Sequence, residues 1–365
     1  MPLFASGFSM GALLVFVKTI GEFGTPVTLG NRIGYYVLTS EIHRHATIWP
    51  IDYGTAAILS TMLISASMLV WFLQQWMAAR RNDTVVTGKG QSVSIYRLGK
   101  AKVLAWVYVL LVFGLAIGVP YLSVVSTAFL DVQGDGLALH NFTFAHMIEL
   151  FTDSGGREAL LNSLGLAGIA ATVSVCIGVW ISITVTRQKA ILTKAIDFLS
   201  LAPNTLPAIV FIIGLILLWN ANWMPIPIYN TWGMLVLAYV ILYLPFTVQN
   251  IKAIYGQMSH SLLHAAQVSG AGRFYQFRTI LLPLILPGVL AGWMMTFIIS
   301  MRELVGSLIL RPPNMHTTAT FIYSEFEQGS TSLGMAMALV AVVLTTMMLV
   351  FVEHMQNRWK AKHSS

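Results

Sequence analysis

One cysteine, Cys176, stands among 365 residues, which excludes a disulfide framework and a thiolate-held metal cluster. As a lone small residue in an apolar run, it is expected in the core. Charge is scarce as well: 10% of the residues are charged, where a soluble domain carries about 25%. No segment has the phosphate-cradling pattern G-x-x-x-x-G-K-[ST]. Gly88-Lys89 comes nearest, but Gly90 follows where a hydroxyl residue is needed and Asp83 occupies the place of the first glycine. The chain therefore has no visible means of hydrolysing ATP and no cofactor of its own is expected. H-E-x-x-H, paired cysteines and the G-x-S-x-G nucleophile turn are also missing, which leaves no constellation for an enzyme. The N-terminus lacks a basic n-region and cleavage site, its first basic residue being Lys18, so no signal peptide is expected.

What is present is apolar: 56% of the residues are hydrophobic and the mean hydropathy is +0.73. Runs at 8–20, 54–76, 103–125, 159–185, 199–219, 231–248, 283–301 and 332–352 predict an all-α polytopic membrane protein with about eight transmembrane helices. The first run is the weakest, because Lys18 and Glu22 interrupt it and the stretch through Val27 to Leu29 is needed to complete a crossing. The net charge of +7 sits in short loops between runs, which fits membrane topology and lipid better than nucleic acid. Arg80, Arg81, Lys89, Arg97, Lys100 and Lys102 lie between helices two and three, Arg187, Lys189 and Lys194 between four and five, and Lys252, Arg273 and Arg278 between six and seven. Arg358, Lys360 and Lys362 end the chain. The positive-inside rule makes these the cytoplasmic sides, with both termini inside. Asp131, Asp135, Glu149, Asp153 and Glu158 cluster in the long loop after helix three, which is expected outside.

An internal repeat divides the chain. Gly7, Gly11 and Glu22 precede Gly288, Gly292 and Glu303 by a constant 281 positions. Ser40-Glu41-Ile42 parallels Ser324-Glu325-Phe326, and Tyr53-Gly54-Thr55-Ala56 parallels Leu333-Gly334-Met335-Ala336. The competing reading is chance similarity between two apolar helix pairs. The repeat makes residues 1–76 the last two helices of a first unit, 77–102 a basic linker, 103–352 a complete six-helix second unit and 353–365 a tail. Pro2 then falls opposite Pro283, and earlier helices of the first unit are expected to be missing.

Ionisable residues at membrane depth default to a functional hypothesis. Lys18 and Glu22 stand four apart on one helix face and are able to pair; Arg302 and Glu303 hold the matching repeat position. They either line a pathway between units or sit paired or snorkelling at the outer ends of their helices. Pro203 and Pro207 in helix five and Pro245 in helix six remove backbone hydrogen bonds, giving a gate or an ordinary kink. His140 and His146 are read as solvated loop histidines. His260 and His264 lie four apart with no third metal ligand nearby.

The informative polar interruption runs from His264 to Pro287. Gly270 as breaker, Arg273, Arg278 and Pro283 predict two short helices turned about a glycine just outside the membrane. His264-Ala265-Ala266, Gly270, Ile280 and Leu282-Pro283 closely resemble the E-A-A, G, I-x-L-P signature of binding-protein-dependent ABC importer permeases, with His264 in place of the glutamate. Gly21-Glu22-Phe23-Gly24-Thr25-Pro26, Thr87-Gly88-Lys89-Gly90, Ala291-Gly292-Trp293 and Arg302-Glu303-Leu304 resemble the fused permeases of ferric iron type, in which two six-helix units form one chain. Members of that branch are longer at the N-terminus, so the chain also resembles a truncated reading frame or a split gene.

The resemblance implies a bacterial inner-membrane permease with a type I importer transmembrane fold. Its coupling loop, 259–283, would dock in a groove on a separate ATPase. Two ATPase subunits would use the ATP, and a periplasmic binding protein would deliver the substrate. Leu262, Leu263 and Ala266 would support one coupling helix, and Phe274, Phe277 and Leu281 one face of the next, leaving Arg273 and Gln276 to reach the partner. Ferric iron is the implied substrate; thiamine, polyamine, phosphonate and sulfate permeases share the signature. A secondary transporter, with ion-coupling residues in broken helices, and a structural or assembly protein are the readings from other classes, and the signature weighs against both.

Overall fold

The structure, a computed structural model, describes residues 11–12, 15–79, 99, 101–187, 190–258 and 261–363. Apart from one antiparallel bridge between Leu130 and Phe142, these residues are helical or in loops. The helices are α1 (Leu38–Thr47), α2 (Tyr53–Ala79), α3 (Ala101–Ala128), α4 (Ala145–Thr152), α5 (Ser154–Arg187), α6 (Ile191–Leu201) and α7 (Ala208–Trp219). They continue with α8 (Trp232–Tyr255), α9 (Ser261–Val268), α10 (Arg273–Met301), α11 (Val305–Leu310), α12 (Thr318–Gln328) and α13 (Thr331–His363). Six of them, α2, α3, α5, α8, α10 and α13, are long and apolar enough to cross a membrane.

The fifth expected span is not a straight crossing. Ile191–Asn204 and Ala208–Trp219 meet at 111°, and Pro203 and Pro207 bracket the bend. Pro203 is taken into the first turn of a short 3₁₀ helix, Ala202–Asn204, and the extended Pro207, which has no amide donor, keeps that helix from running on into α7. Pro245, by contrast, lies inside an unbroken α8. The first expected span begins outside the described residues. Its described part ends at Ile20, after which the chain turns at Gly21 and enters a π-helical turn, Pro26–Gly30. Val27 is buried in the core.

α3 and α10 carry prolines by the same local device. A π turn, Gly114–Gly118 or Phe277–Leu281, immediately precedes the helical segment that has Pro120 or Pro283 in its first turn. The wider turn makes room for the ring and rearranges the bond that the missing N–H cannot make. The expected second short helix is thus the continuous start of α10.

The centre of the molecule is α5, α8 and α10 packed against one another. Small residues allow the approach, as expected where hydrophobic driving force between helices is weak. A Cβ on Gly292 would lie 2.9 Å from the Thr247 Cα, and one on Gly288 2.8 Å from the Asn250 carbonyl oxygen. From the other side, a Cβ on Gly178 would meet Thr247 Cγ2 at 2.7 Å. Thr247 and Thr296, both fully buried, join their hydroxyls at 2.9 Å in this seam. Gly292→Val is therefore expected to cost about 1–3 kcal/mol of packing and to lower the melting temperature in detergent. Gly214→Ala, whose Cβ meets nothing within 4 Å, is the control expected to leave it unchanged, and equal melting of both variants would contradict the close approach.

Phe23, Val27, Ile42, Ala46, Ala56 and Leu63 bury their side chains against Ile209, Ile212, Ile213 and Leu235 of α7 and α8. The N-terminal segment and the later helices thus share one core. Two other readings change. Cys176 is exposed on the surface of α5. His146 is not a solvated loop residue: its side chain is 19% exposed and its Nε2 lies 3.1 Å from the Leu130 carbonyl oxygen. The 77–102 linker lies mostly outside the described residues, as do Pro2, Gly7, Gly88-Lys89 and His260.

Candidate functional site

A cavity of about 620 Å³ lies where the N-terminal segment meets the bend between α6 and α7 and the end of α10. Glu22, Pro203, Pro207, Arg302 and Glu303, far apart in sequence, all line it, together with Lys18, Asn204 and Tyr243. Lys18 does not pair with Glu22. The helix carrying Lys18 ends before Glu22 is reached, and the ammonium instead donates to Asn204, 2.9 Å to its carbonyl oxygen and 3.3 Å to Oδ1. The Asn204 carbonyl oxygen is left open at the end of the 3₁₀ turn Ala202–Asn204, because Pro207, three residues on, is extended and has no N–H to offer it. Gly21 sits against Pro207, where a Cβ would come within 3.2 Å of its ring.

Glu303 is 5% exposed, and the next turn of the chain satisfies its carboxylate. Oε2 accepts from Gly306 N–H at 2.9 Å and Ser307 N–H at 3.4 Å, and the Tyr243 hydroxyl also bonds the carboxylate. Ser307 in turn returns its hydroxyl to the Glu303 carbonyl oxygen at 2.6 Å and shares a 2.6 Å contact with the Tyr239 hydroxyl. Glu303 thus fixes the first turn of α11 by taking up its unpaired N–H groups. Glu22 stands in a like turn but looser: it is exposed, and its Oε1 accepts from Thr25 N–H at 3.4 Å. After each glutamate come a short helical turn, a helix of about three turns and a long helix. Arg302 is exposed on the cavity wall.

The second candidate region is the elbow between α9 and α10. Gly270 has φ +79°, and Ala271 N–H reaches the Ala266 carbonyl oxygen while Gly270 N–H reaches that of Gln267, both at 3.0 Å. This is a Schellman stop, which needs the left-handed backbone that glycine adopts without strain. His264, Ala265 and Arg273 are exposed, Ala266, Ile280, Leu282 and Pro283 half-buried. Leu263, Leu281 and Ile285 anchor the elbow, the last two packing on Ile251 and Tyr255 at the end of α8.

Two side-chain expectations fail here. Gln276 is 5% exposed and donates to the Ala271 carbonyl oxygen at 2.6 Å, because a buried amide must find a partner and the elbow offers an open carbonyl. Phe274 points outward, 76% exposed, and Leu262 is half exposed at 50%. With Tyr275 and Val268 they form an apolar outer surface on a basic elbow.

Sequence reasoning missed Asn204, although it stands between the two prolines it did name. It also missed the ion pair between Lys252 and Asp197 at 2.5 Å, which ties the end of α8 to α6 and hence to the cavity wall. Its residues are 55 apart, so no local spacing reveals it. Asp197→Asn is expected to lower thermal stability by roughly 1 kcal/mol, less in high salt. The double exchange Asp197→Lys with Lys252→Asp should recover most of it; no recovery would mean that the pair contributes nothing. Among the described residues no group of three or more His, Cys, Asp or Glu is placed to hold a metal ion.

Residues 174–361 match the family of binding-protein-dependent transport system inner membrane components. The chain is 24% identical over 352 residues to the ferric transport system permease protein FbpB of Actinobacillus pleuropneumoniae, covering 96% of this chain and 50% of that one. It is 26% identical to the Fe(3+)-transport system permease protein FbpB 2 of Haemophilus influenzae, covering 94% and 64%. The chain therefore spans about half to two thirds of the length of these relatives. A putative 2-aminoethylphosphonate transport system permease protein, PhnV of Salmonella typhimurium, is 23% identical over 65% of this chain and 88% of its own. In fold, the chain is similar to a solved bacterial ABC transporter involved in the import of the acidic polysaccharide alginate. The TM-score is 0.60 at 16% identity, over 72% of this chain and 97% of that one.

Proposed function

The chain belongs to the binding-protein-dependent transport system inner membrane components, and from that premise we propose that it forms the translocation pathway of an ATP-driven importer for ferric iron. The observation that carries the proposal is the continuity of α10. One end of this helix is the exposed elbow at Gly270, and the other delivers Arg302 and Glu303 to the cavity wall. Its 29 residues make a rod of about 43 Å at 1.5 Å per residue. A push on the elbow is thereby carried across the membrane to the pathway.

In this mechanism the outer surface of the elbow, with Leu262, Val268, Phe274 and Tyr275 around His264, Ala265 and Arg273, seats in a groove on an ATPase subunit. Closure of two ATPases moves α9 and α10 together. Leu281 and Ile285 press α10 on the end of α8, the Asp197–Lys252 pair passes the motion from α8 to α6, and the bend at Pro203 and Pro207 opens or closes the cavity between the two units. Alternating access follows from relative movement of the repeats, and a periplasmic binding protein supplies the solute. The elbow and both chain ends are cytoplasmic in this reading, in line with the lysine and arginine bias of the loops. Residues 1–76 act as the end of a first permease repeat and 103–352 as the second, which the two glutamate turns support. The chain binds no nucleotide itself.

The test is uptake of ⁵⁵Fe by cells expressing this chain with its ATPase and binding protein, alongside recovery of that ATPase with the tagged permease. Energy-dependent accumulation above a strain lacking the permease is expected. No accumulation of iron, and no ATPase recovered with the protein, would overturn the proposal.

A further inference from the structure

Building on the importer reading, we propose that the cavity selects an anionic oxygen shell, so that ferric iron crosses enclosed by oxyanion ligands and not as the bare cation. Lys18 and Arg302 are the specificity-determining residues.

Four charged residues face the cavity, and they are not equivalent. Glu303 is buried and committed to the Gly306 and Ser307 amides and the Tyr243 hydroxyl. Lys18 is held on the wall by two bonds to Asn204, an uncharged partner that leaves its positive charge unneutralised. Arg302 is exposed there, and neither cation joins an ion pair among the described residues. Among the described residues, Glu22 is the one carboxylate exposed on this wall. A small trivalent cation requires several hard anionic oxygens around it, whereas this cavity sets two cations against one free carboxylate, and no described cluster of acidic or histidine ligands supplements it. Oxyanions fit these groups well: a guanidinium takes two oxygens of a phosphate or carboxylate at once, and an ammonium adds a point charge. The volume, about 620 Å³, is that of a small-molecule site. Phosphate and carboxylate ligands present the same chemistry here, and labelling tells them apart.

The experiment is double-label uptake in cells carrying the whole transporter with its ATPase and binding protein. ⁵⁵Fe is supplied with either ³³P-phosphate or ¹⁴C-citrate. One of the two labels is expected to enter with iron. Lys18→Gln and Arg302→Gln are each expected to lower the coupled uptake about tenfold, Arg302→Lys only about threefold, and Glu353→Gln, at an exposed position of α13 away from the cavity, not at all. Each rate is normalised to the amount of permease in the membrane, and if Arg302→Gln does not accumulate, Lys18→Gln and Arg302→Lys carry the test. Iron entering without either anion overturns the proposal, as do wild-type rates in both cation variants. Failure of the wild-type transporter to accumulate iron under any condition overturns the importer reading itself, and this inference with it.

Discussion

Replacing Gly270 with valine is expected to reduce ATP-driven uptake by about a hundredfold, the scale on which a misplacement of about 1 Å disables a coupled site. The residue has φ +79° and open space around its missing Cβ, so the damage comes from backbone conformation alone. A β-branched side chain in the left-handed region costs about 1–3 kcal/mol. That is enough to undo the stop after α9 and to turn the exposed surface of His264 and Ala265 away from that of Phe274 and Tyr275. Gly270→Asn should retain most activity, since asparagine tolerates this conformation. The measurements are initial uptake rate, permease in the membrane, and ATPase recovered with it. Valine at the wild-type rate would remove the elbow from the mechanism.

The second large effect is expected at Glu303. Glu303→Ala strips acceptors from the Gly306 and Ser307 amides and a partner from the Tyr243 hydroxyl inside a buried turn. Unsatisfied buried donors cost about 1–3 kcal/mol each, so a clear fall in melting temperature and loss of uptake should occur together. Glu303→Gln keeps an acceptor oxygen and should fall between alanine and wild type. Glu22→Ala, at the matching position, removes one 3.4 Å bond from an exposed side chain and should stay within about 0.5 kcal/mol. If both alanine variants melted alike, the structural difference between the two turns would carry no energetic weight.

Much of the fold was legible because a membrane imposes a coarse rule: a helix of about 20 apolar residues announces itself by length. The signature around Gly270 was equally plain, since a left-handed stop requires glycine at a fixed place after the last helical turn. Less legible was the course of helices around prolines. Pro203 and Pro207 mark a bend of 111°, yet Pro245 and Pro287 lie within helices that continue past them, because neighbouring contacts decide whether the lost bond breaks the ladder.

By itself, then, the sequence determined six of the eight expected spans, the stop at Gly270 and the polar residues that have to be accounted for at membrane depth, all of which depend on local periodicity or on the rules for one residue. Only the tertiary structure decided that Lys18 bonds Asn204 across 186 positions, that Glu303 is buried while Glu22 is not, and that Gln276 turns inward while Phe274 turns out. The physical reason is that these partners are far apart in the chain or lie across a turn of it. Polar groups in a packed interior take whichever partner the fold brings within about 3 Å, and no sequence window names that partner.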